Sequence, residues 1–263
     1  MGRPAKYIII ILLMLLFVYI NYNTRNIESF NVEQNPIIII ARYNENLEWL
    51  KEEPFNRFHY IVYNKGENEN YYKSDKFIKQ VKLEPVGRET NTYLSHIIQN
   101  YDNLNTFTIF LVGSVELENR HDRAKRLIND INDTKFEKDV FSCVSLNDTP
   151  VLEANKDFSI DNYLSSNELN KKMNSDSKML PADIRPYGKW YENLFGNVNA
   201  DSKCFTQNSM FGITKETILS KPKTFYEKLI TQVNSHHNPE AQHFFERSWE
   251  TVFYSSSLSK HSY

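Results

Sequence analysis

Glycine is scarce in this chain, 7 of 263 residues, and cysteine is scarcer, at 2. So little glycine excludes a Gly-rich disordered or fibrous protein. Cys143 and Cys204 have neither the number nor the spacing of a zinc site. They leave two readings open: one disulfide in an oxidising compartment, or two buried thiols. No long basic run is present and the net charge is -2, so the sequence offers no electrostatic footprint for nucleic acid. Internal repeats and coiled-coil heptads are lacking too. Ser114 and His121 do not form a G-x-S-x-G elbow, which leaves nucleophilic hydrolysis without specific support.

What is present begins with the N-terminus. Arg3 and Lys6 precede an apolar run, and no further charge appears until Arg25. As a helix, residues 7–24 would reach about 27 Å, close to a thin hydrocarbon core. The segment "NYNTRN" after the run offers no small-residue cleavage site, which favours an uncleaved anchor over a signal peptide. Positive residues before the span place 1–6 in the cytosol and the body on the lumenal or external side, as a single-pass type II membrane protein. In that compartment Asn132-Asp133-Thr134 and Asn147-Asp148-Thr149 are glycosylation sequons. Residues 25–35 read as a polar stem and 257–263 as a tail.

The body, 36–256, alternates strand and helix signals. "PIIIIARYNENLEWLKEEP" predicts a buried strand feeding a helix. "FHYIVYNKG" is a second strand with a polar tip, and "FIKQVKLEPVGRE" leads through Pro85 and Gly87 into a helix over 89–101. "FTIFLVG" is a further strand, "HDRAKRLINDI" a helix and "DVFSCVSL" another strand. This rhythm predicts a single α/β domain with a mostly parallel central sheet covered on both faces. Residues 147–201 lose the pattern and form an irregular excursion. Order returns with "SMFGIT", "KPKTFYEKLITQV" and a final helix from Asn238, a natural N-cap before Pro239.

Two helices carry chemistry on paper. On the last, Ala241, Phe245, Trp249, Val252 and Phe253 share one side, while Glu240, His243, Arg247 and Glu250 share the other, a solvated face by its pattern. Glu246 sits at the border, where partial desolvation raises a carboxyl toward general-base range. On the helix over 89–101, Leu94, Ile97, Ile98 and Tyr101 form the apolar stripe, with Glu89, Tyr93, His96 and Asn100 opposite. Gly87 and Arg88 precede it, where backbone N–H groups and an arginine suit an anion.

In order along the chain, "ARYNENLEWL", "IVYNKGE", "VGRETNTYLSHIIQNYDNL", "FTIFLVG", "RPYGKWYENLFG", "TKETILSKPKTFYEKLI" and "NPEAQHFFERSWETVF" resemble the domain-of-unknown-function family 3431. More distantly the chain is similar to GT-A glycosyltransferases, which have a Rossmann-like sheet and are often type II membrane proteins. That resemblance implies a nucleotide-sugar donor, held near Arg42, Asn44 and Glu45 on the first strand tip and Asn64 and Lys65 on the second. Arg88, Glu89 and Arg247 join the binding set. Glu246, with Glu240 and His243, supplies the catalytic group that activates an acceptor hydroxyl. The GT-A pattern also implies an Asp-x-Asp motif holding Mg²⁺ or Mn²⁺, but this chain has Leu111-Val112-Gly113-Ser114 there, with Glu116 as a thin substitute.

Two functions follow as expectations. One is a membrane-anchored, metal-independent transferase that moves a sugar to a glycan or protein acceptor. The other is a non-catalytic, membrane-tethered binding or structural protein on the same fold.

Overall fold

A computed structural model describes residues 35–117, 119–145, 148–162 and 179–254. Among these, no helix is long and apolar enough to cross a membrane. The expected anchor at 7–24, the tail at 257–263 and all of the stem except Asn35 lie outside the described residues.

The first strand, β1 (Ile37–Arg42), is a run of β-branched isoleucines, all fully buried. A strand so apolar on both faces belongs in the middle of a covered sheet, and β1 pairs in parallel with both β2 (His59–Asn64) and β4 (Phe107–Val112). Between β2 and β4 come β3 (Phe77–Lys82), parallel to β2, and helix α1 (Arg88–Gln99). The next elements are α2 (Arg120–Asp133), the short strands β5 (Val140–Phe141) and β6 (Val144–Ser145), α3 (Val151–Asn155), α4 (Tyr187–Phe195) and β7 (Cys204–Phe205). The chain closes with β8 (Phe211–Thr214), α5 (Lys215–Leu219), α6 (Lys223–Ile230), α7 (Ala241–Glu246) and α8 (Trp249–Tyr254). The main sheet runs β3-β2-β1-β4-β8-β5, with β8 antiparallel to both β4 and β5.

Strand alternation sends side chains to two cores. Ile38 and Ile40 join Leu111 and the buried face of α2, formed by Ala124, Leu127, Ile128 and Ile131. On the opposite face, Phe110 packs against Tyr93 of α1 at 4.7 Å and Phe211 at 5.1 Å, and Trp249 reaches Phe211 at 5.0 Å. Helices thus cover both faces, as the alternation of elements predicts.

Several local expectations change. "NENLEWLKEEP" makes only a short 3₁₀ turn, Glu48–Lys51, whose Trp49 Nε1 donates to Gly113 O at 2.9 Å. "DVFSCVSL" divides, because β5 extends the main sheet while β6 pairs with β7 in a separate ribbon. A disulfide between Cys143 and Cys204 joins that ribbon, settling the choice left open by the sequence.

The last helix is not continuous. It begins at Ala241, with Glu240 rather than Asn238 as N-cap, and breaks between Glu246 and Trp249. Nor is its polar side solvated: Glu240 and His243 are buried. The excursion folds over it, with Leu180 N donating to Asn238 O and Glu240 N to Leu180 O. Helix α1 likewise buries both faces, Tyr93 and His96 included, between the sheet and the C-terminal helices.

Candidate functional site

The chain leaves β1 toward β2 and β3 on one side and returns through β4 on the other, so β1 and β4 flank a topological switch point. Ligands of open α/β sheets bind outside the carboxyl ends of the strands at such points. An open cleft lies there, lined by Arg42, Glu45 and Lys65 from the first two tips and Gly113 and Ser114 just after β4. Arg88 and Glu89 of α1, and Gln242, His243 and Glu246 of α7, form its opposite wall.

The β1 tip is built around Arg42, which is 1 % exposed. Its Nε donates to Glu45 O at 2.6 Å, and its Nη1 to Asn64 Oδ1 at 2.7 Å and Asn68 O at 2.6 Å, while the guanidinium lies over the Tyr71 ring. Glu45 Oε2 in turn accepts from the N–H groups of Tyr43 and Asn44 at 2.7 and 3.1 Å. Lys65 is similarly engaged. Its Nζ donates to Val86 O and Arg88 O, each at 2.5 Å, and to Asn91 Oδ1 at 3.1 Å. Three acceptors match the three protons of an ammonium, while burial pulls its pKa down to about 7. Lys65 is fully engaged, and Arg42 keeps only Nη2, which is buried without a hydrogen-bond partner, so the two form a rigid cationic floor.

The opposite wall is acidic. Gly87 starts α1 at φ 60°, and a Cβ there would lie 1.8 Å from Val233 O, so glycine is required on both counts. This turn sets Arg88, whose Nε donates to Asn238 Oδ1 at 3.1 Å, beside Glu89. Gln242 locks α7 to α1: its Nε2 donates to Glu89 Oε1 at 2.5 Å and its Oε1 accepts from Thr90 N at 3.1 Å. His243 Nδ1 lies 3.6 Å from Glu246 Oε2. Burial first, and then the nearby Glu246 carboxylate, raise the Glu89 carboxyl above its ordinary value; Arg88 and His243 oppose this. Two carboxyl groups, one with an elevated proton affinity, thus share a cleft with a histidine and an arginine.

Four expected site residues do not line the cleft. Asn64 holds Arg42 from behind, and Asn44 lies in the β1 turn. Glu240 is fully buried; its Oε1 accepts from Ile160 N and Arg185 Nη2 and its Oε2 from Ala182 N, so it fastens the excursion. Arg247 stacks on Phe158 and Phe205 and donates from Nη1 to His243 O, bracing the helix break.

Conversely, Arg120, Asn208 and Gln242 line the cleft although they are not among the expected site residues. Arg120 had a readable signal, since it opens the helix directly after the β4 tip. Asn208 sits in a left-handed turn at φ 60° that no periodicity reveals.

Among the described residues, the β4 tip gathers no ligand set for Mg²⁺ or Mn²⁺. Ser114 Oγ already accepts from Arg120 Nη1 at 2.6 Å, and the nearby Glu45 Oε2 accepts two backbone N–H groups. These hard cations need several oxygen ligands, and among the described residues no group of three or more His, Cys, Asp or Glu side chains converges.

No curated protein and no solved structure matches the chain. A family model described as protein of unknown function (DUF3431) matches residues 37–262, the whole of the described sheet and cleft, and the chain belongs to that family.

Proposed function

We propose that the protein is a membrane-anchored glycosyltransferase, which moves a sugar from a nucleotide-sugar donor to a hydroxyl of a glycan or protein acceptor. The observation that carries this reading is the position of Glu246, beside Glu89 and His243 in a cleft at the sheet's switch point. In the proposed step Glu246 takes the acceptor hydroxyl proton. The acceptor oxygen bonds to the anomeric carbon as the bond from that carbon to the diphosphate oxygen breaks, and the electron pair stays on the diphosphate. Glu89, Gln242 and His243 position the base, and residues 7–24 tether the enzyme to the bilayer with its body on the lumenal or external side.

A second reading, a non-catalytic tethered binding protein, draws on the way Arg42 and Lys65 are engaged by the protein's own acceptors. The full chain in detergent micelles, incubated with a panel of nucleotide-sugars in EDTA, separates the two. Release of nucleoside diphosphate that stops in Glu246→Gln supports the transferase. Thermal stabilisation by a donor without release in the presence of any acceptor supports the binding protein, and neither response to any donor would reject both.

A further inference from the structure

The β4 tip poses a problem that the proposed reaction must solve. A departing diphosphate gains negative charge as its bond breaks, and this charge requires preorganised donors or a cation. Lys65 spends its three protons on the protein's own acceptors, Arg42 at the β1 tip keeps only a buried Nη2 without a partner, and among the described residues the β4 tip gathers no set of carboxylates for a divalent cation. One group at that tip remains. Arg120, at the start of α2, lines the cleft, and among the described residues it forms one hydrogen bond, from Nη1 to Ser114 Oγ, and no ion pair. Its Nε is buried and lacks a hydrogen-bond partner. Nη2 also makes no hydrogen bond and, unlike Nε, is not buried, so the guanidinium offers an anion in the cleft a donor that the protein does not use.

The surroundings agree. Ser114 is buried and accepts from Arg120, so its hydroxyl proton can be donated onward. One helical turn further, Arg123 donates to Asn208 Oδ1 at 3.2 Å, to Gln207 O at 3.3 Å and to Gln207 Oε1 at 2.8 Å, fixing the left-handed turn that brings Asn208 to the cleft. Burial, then Arg126 and Arg120, push the Arg123 guanidinium below its usual pKa, as expected where like charges crowd together. Glu116 lies within electrostatic reach of Arg120 but forms no ion pair with it, and burial is the first cause that raises its carboxyl above the ordinary value.

We propose that Arg120, with the Ser114 hydroxyl and the Asn208 side chain, forms an anion subsite for the diphosphate of the donor, doing at the β4 tip what a divalent cation would otherwise do. The assignment to a donor rests on the transferase reading; the anion subsite itself is a property of the cleft. As the glycosidic bond breaks, the electron pair settles on the diphosphate oxygen, and the guanidinium answers that charge with N–H donors already in place.

Inorganic pyrophosphate and a nucleoside diphosphate are titrated calorimetrically into the full chain, with and without EDTA. Wild-type protein should bind both with the same affinity in either buffer. Arg120→Ala should weaken both by about tenfold to a hundredfold, the usual range for losing a charged hydrogen bond, and Arg120→Lys should recover part of the loss. The remote surface substitution Lys228→Ala should change nothing. If Arg120→Ala melts early, Ser114→Ala and Arg120→Gln provide the reading, with a weakening of several-fold expected for each. Equal pyrophosphate affinity in the Arg120 variants, or binding abolished by EDTA, would overturn the subsite even if sugar transfer is found. Pyrophosphate binding that depends on Arg120 without turnover of any nucleotide-sugar would uphold the subsite and reject the transferase.

Discussion

Gln242 and Glu89, 153 residues apart in sequence, are joined by a 2.5 Å hydrogen bond from Gln242 Nε2 to Glu89 Oε1, and the same amide accepts from Thr90 N. This contact closes the acidic wall of the cleft. It places the first turn of α1 against the first turn of α7, and so brings the Glu89 carboxyl within the field of Glu246.

Glu246→Gln should lower the rate of sugar transfer by about a hundredfold to ten thousandfold, the usual contribution of a general base. The melting temperature should stay within a few degrees of wild type, because among the described residues the carboxylate forms no hydrogen bond or ion pair beyond its approach to His243. Glu240→Gln should behave in the opposite way, with stability falling first, since that carboxylate is fully buried and fastens three partners. Parallel kinetics and melts of the two variants decide between these roles.

The raised Glu89 carboxyl makes stability depend on pH in a defined direction. The folded state holds this proton more tightly than the unfolded chain, so Glu89's contribution falls as pH climbs from the ordinary carboxyl value toward the raised one. Glu89→Gln keeps a carbonyl to accept from Gln242 and removes the titration. Its stability relative to wild type, measured by urea unfolding from about pH 4 to 8, should rise across that window and then level off. A flat or shrinking difference would count against a raised Glu89 carboxyl.

Gly113→Ala should damage the β4 tip. Its Cβ would come within 2.8 Å of Glu45 Oε2 and 3.2 Å of Ala41 O. Moving Glu45 would release the Tyr43 and Asn44 N–H groups it caps, a loss of about 1–3 kcal/mol. Gly87→Ala should be worse, since its added carbon would sit 1.8 Å from a backbone oxygen at a positive φ. Thermal melts that rank the two the other way would contradict this geometry.

The Cys143–Cys204 bond closes a long stretch, with a sequence separation of 61. Reduction, or Cys143→Ser with Cys204→Ser, should cost about 2–4 kcal/mol. Because Thr206 N donates to Glu246 O, loosening this ribbon should also lower any transfer activity before the fold is lost. Alkylation of the unreduced protein should label neither cysteine, and labelling of both would disprove the bond.

Much of the scaffold was legible from the chain. Four consecutive isoleucines announced the central strand, and the tips after Arg42, Asn64 and Val112 pointed to a cleft at the carboxyl ends. The last helix shows where that reasoning fails. A helical wheel assigns faces as if one side met water, but residues 158–162 and 179–185 pack over the polar side and bury Glu240 and His243. Arg42 shows the same limit: its residue type suggests a ligand-binding cation, yet its guanidinium is held by Glu45, Asn64 and Asn68.

The sequence by itself determined the order of strands and helices, the apolar stripes that pack them and the absence of an Asp-x-Asp motif at the β4 tip, because period and composition are local properties. Only the tertiary structure decided that Glu246 faces the cleft while Glu240 fastens the excursion, and that Arg120 rather than Lys65 has a donor without a partner there. Those outcomes depend on which distant segment supplies the covering surface and the competing acceptors, and no local pattern carries that information.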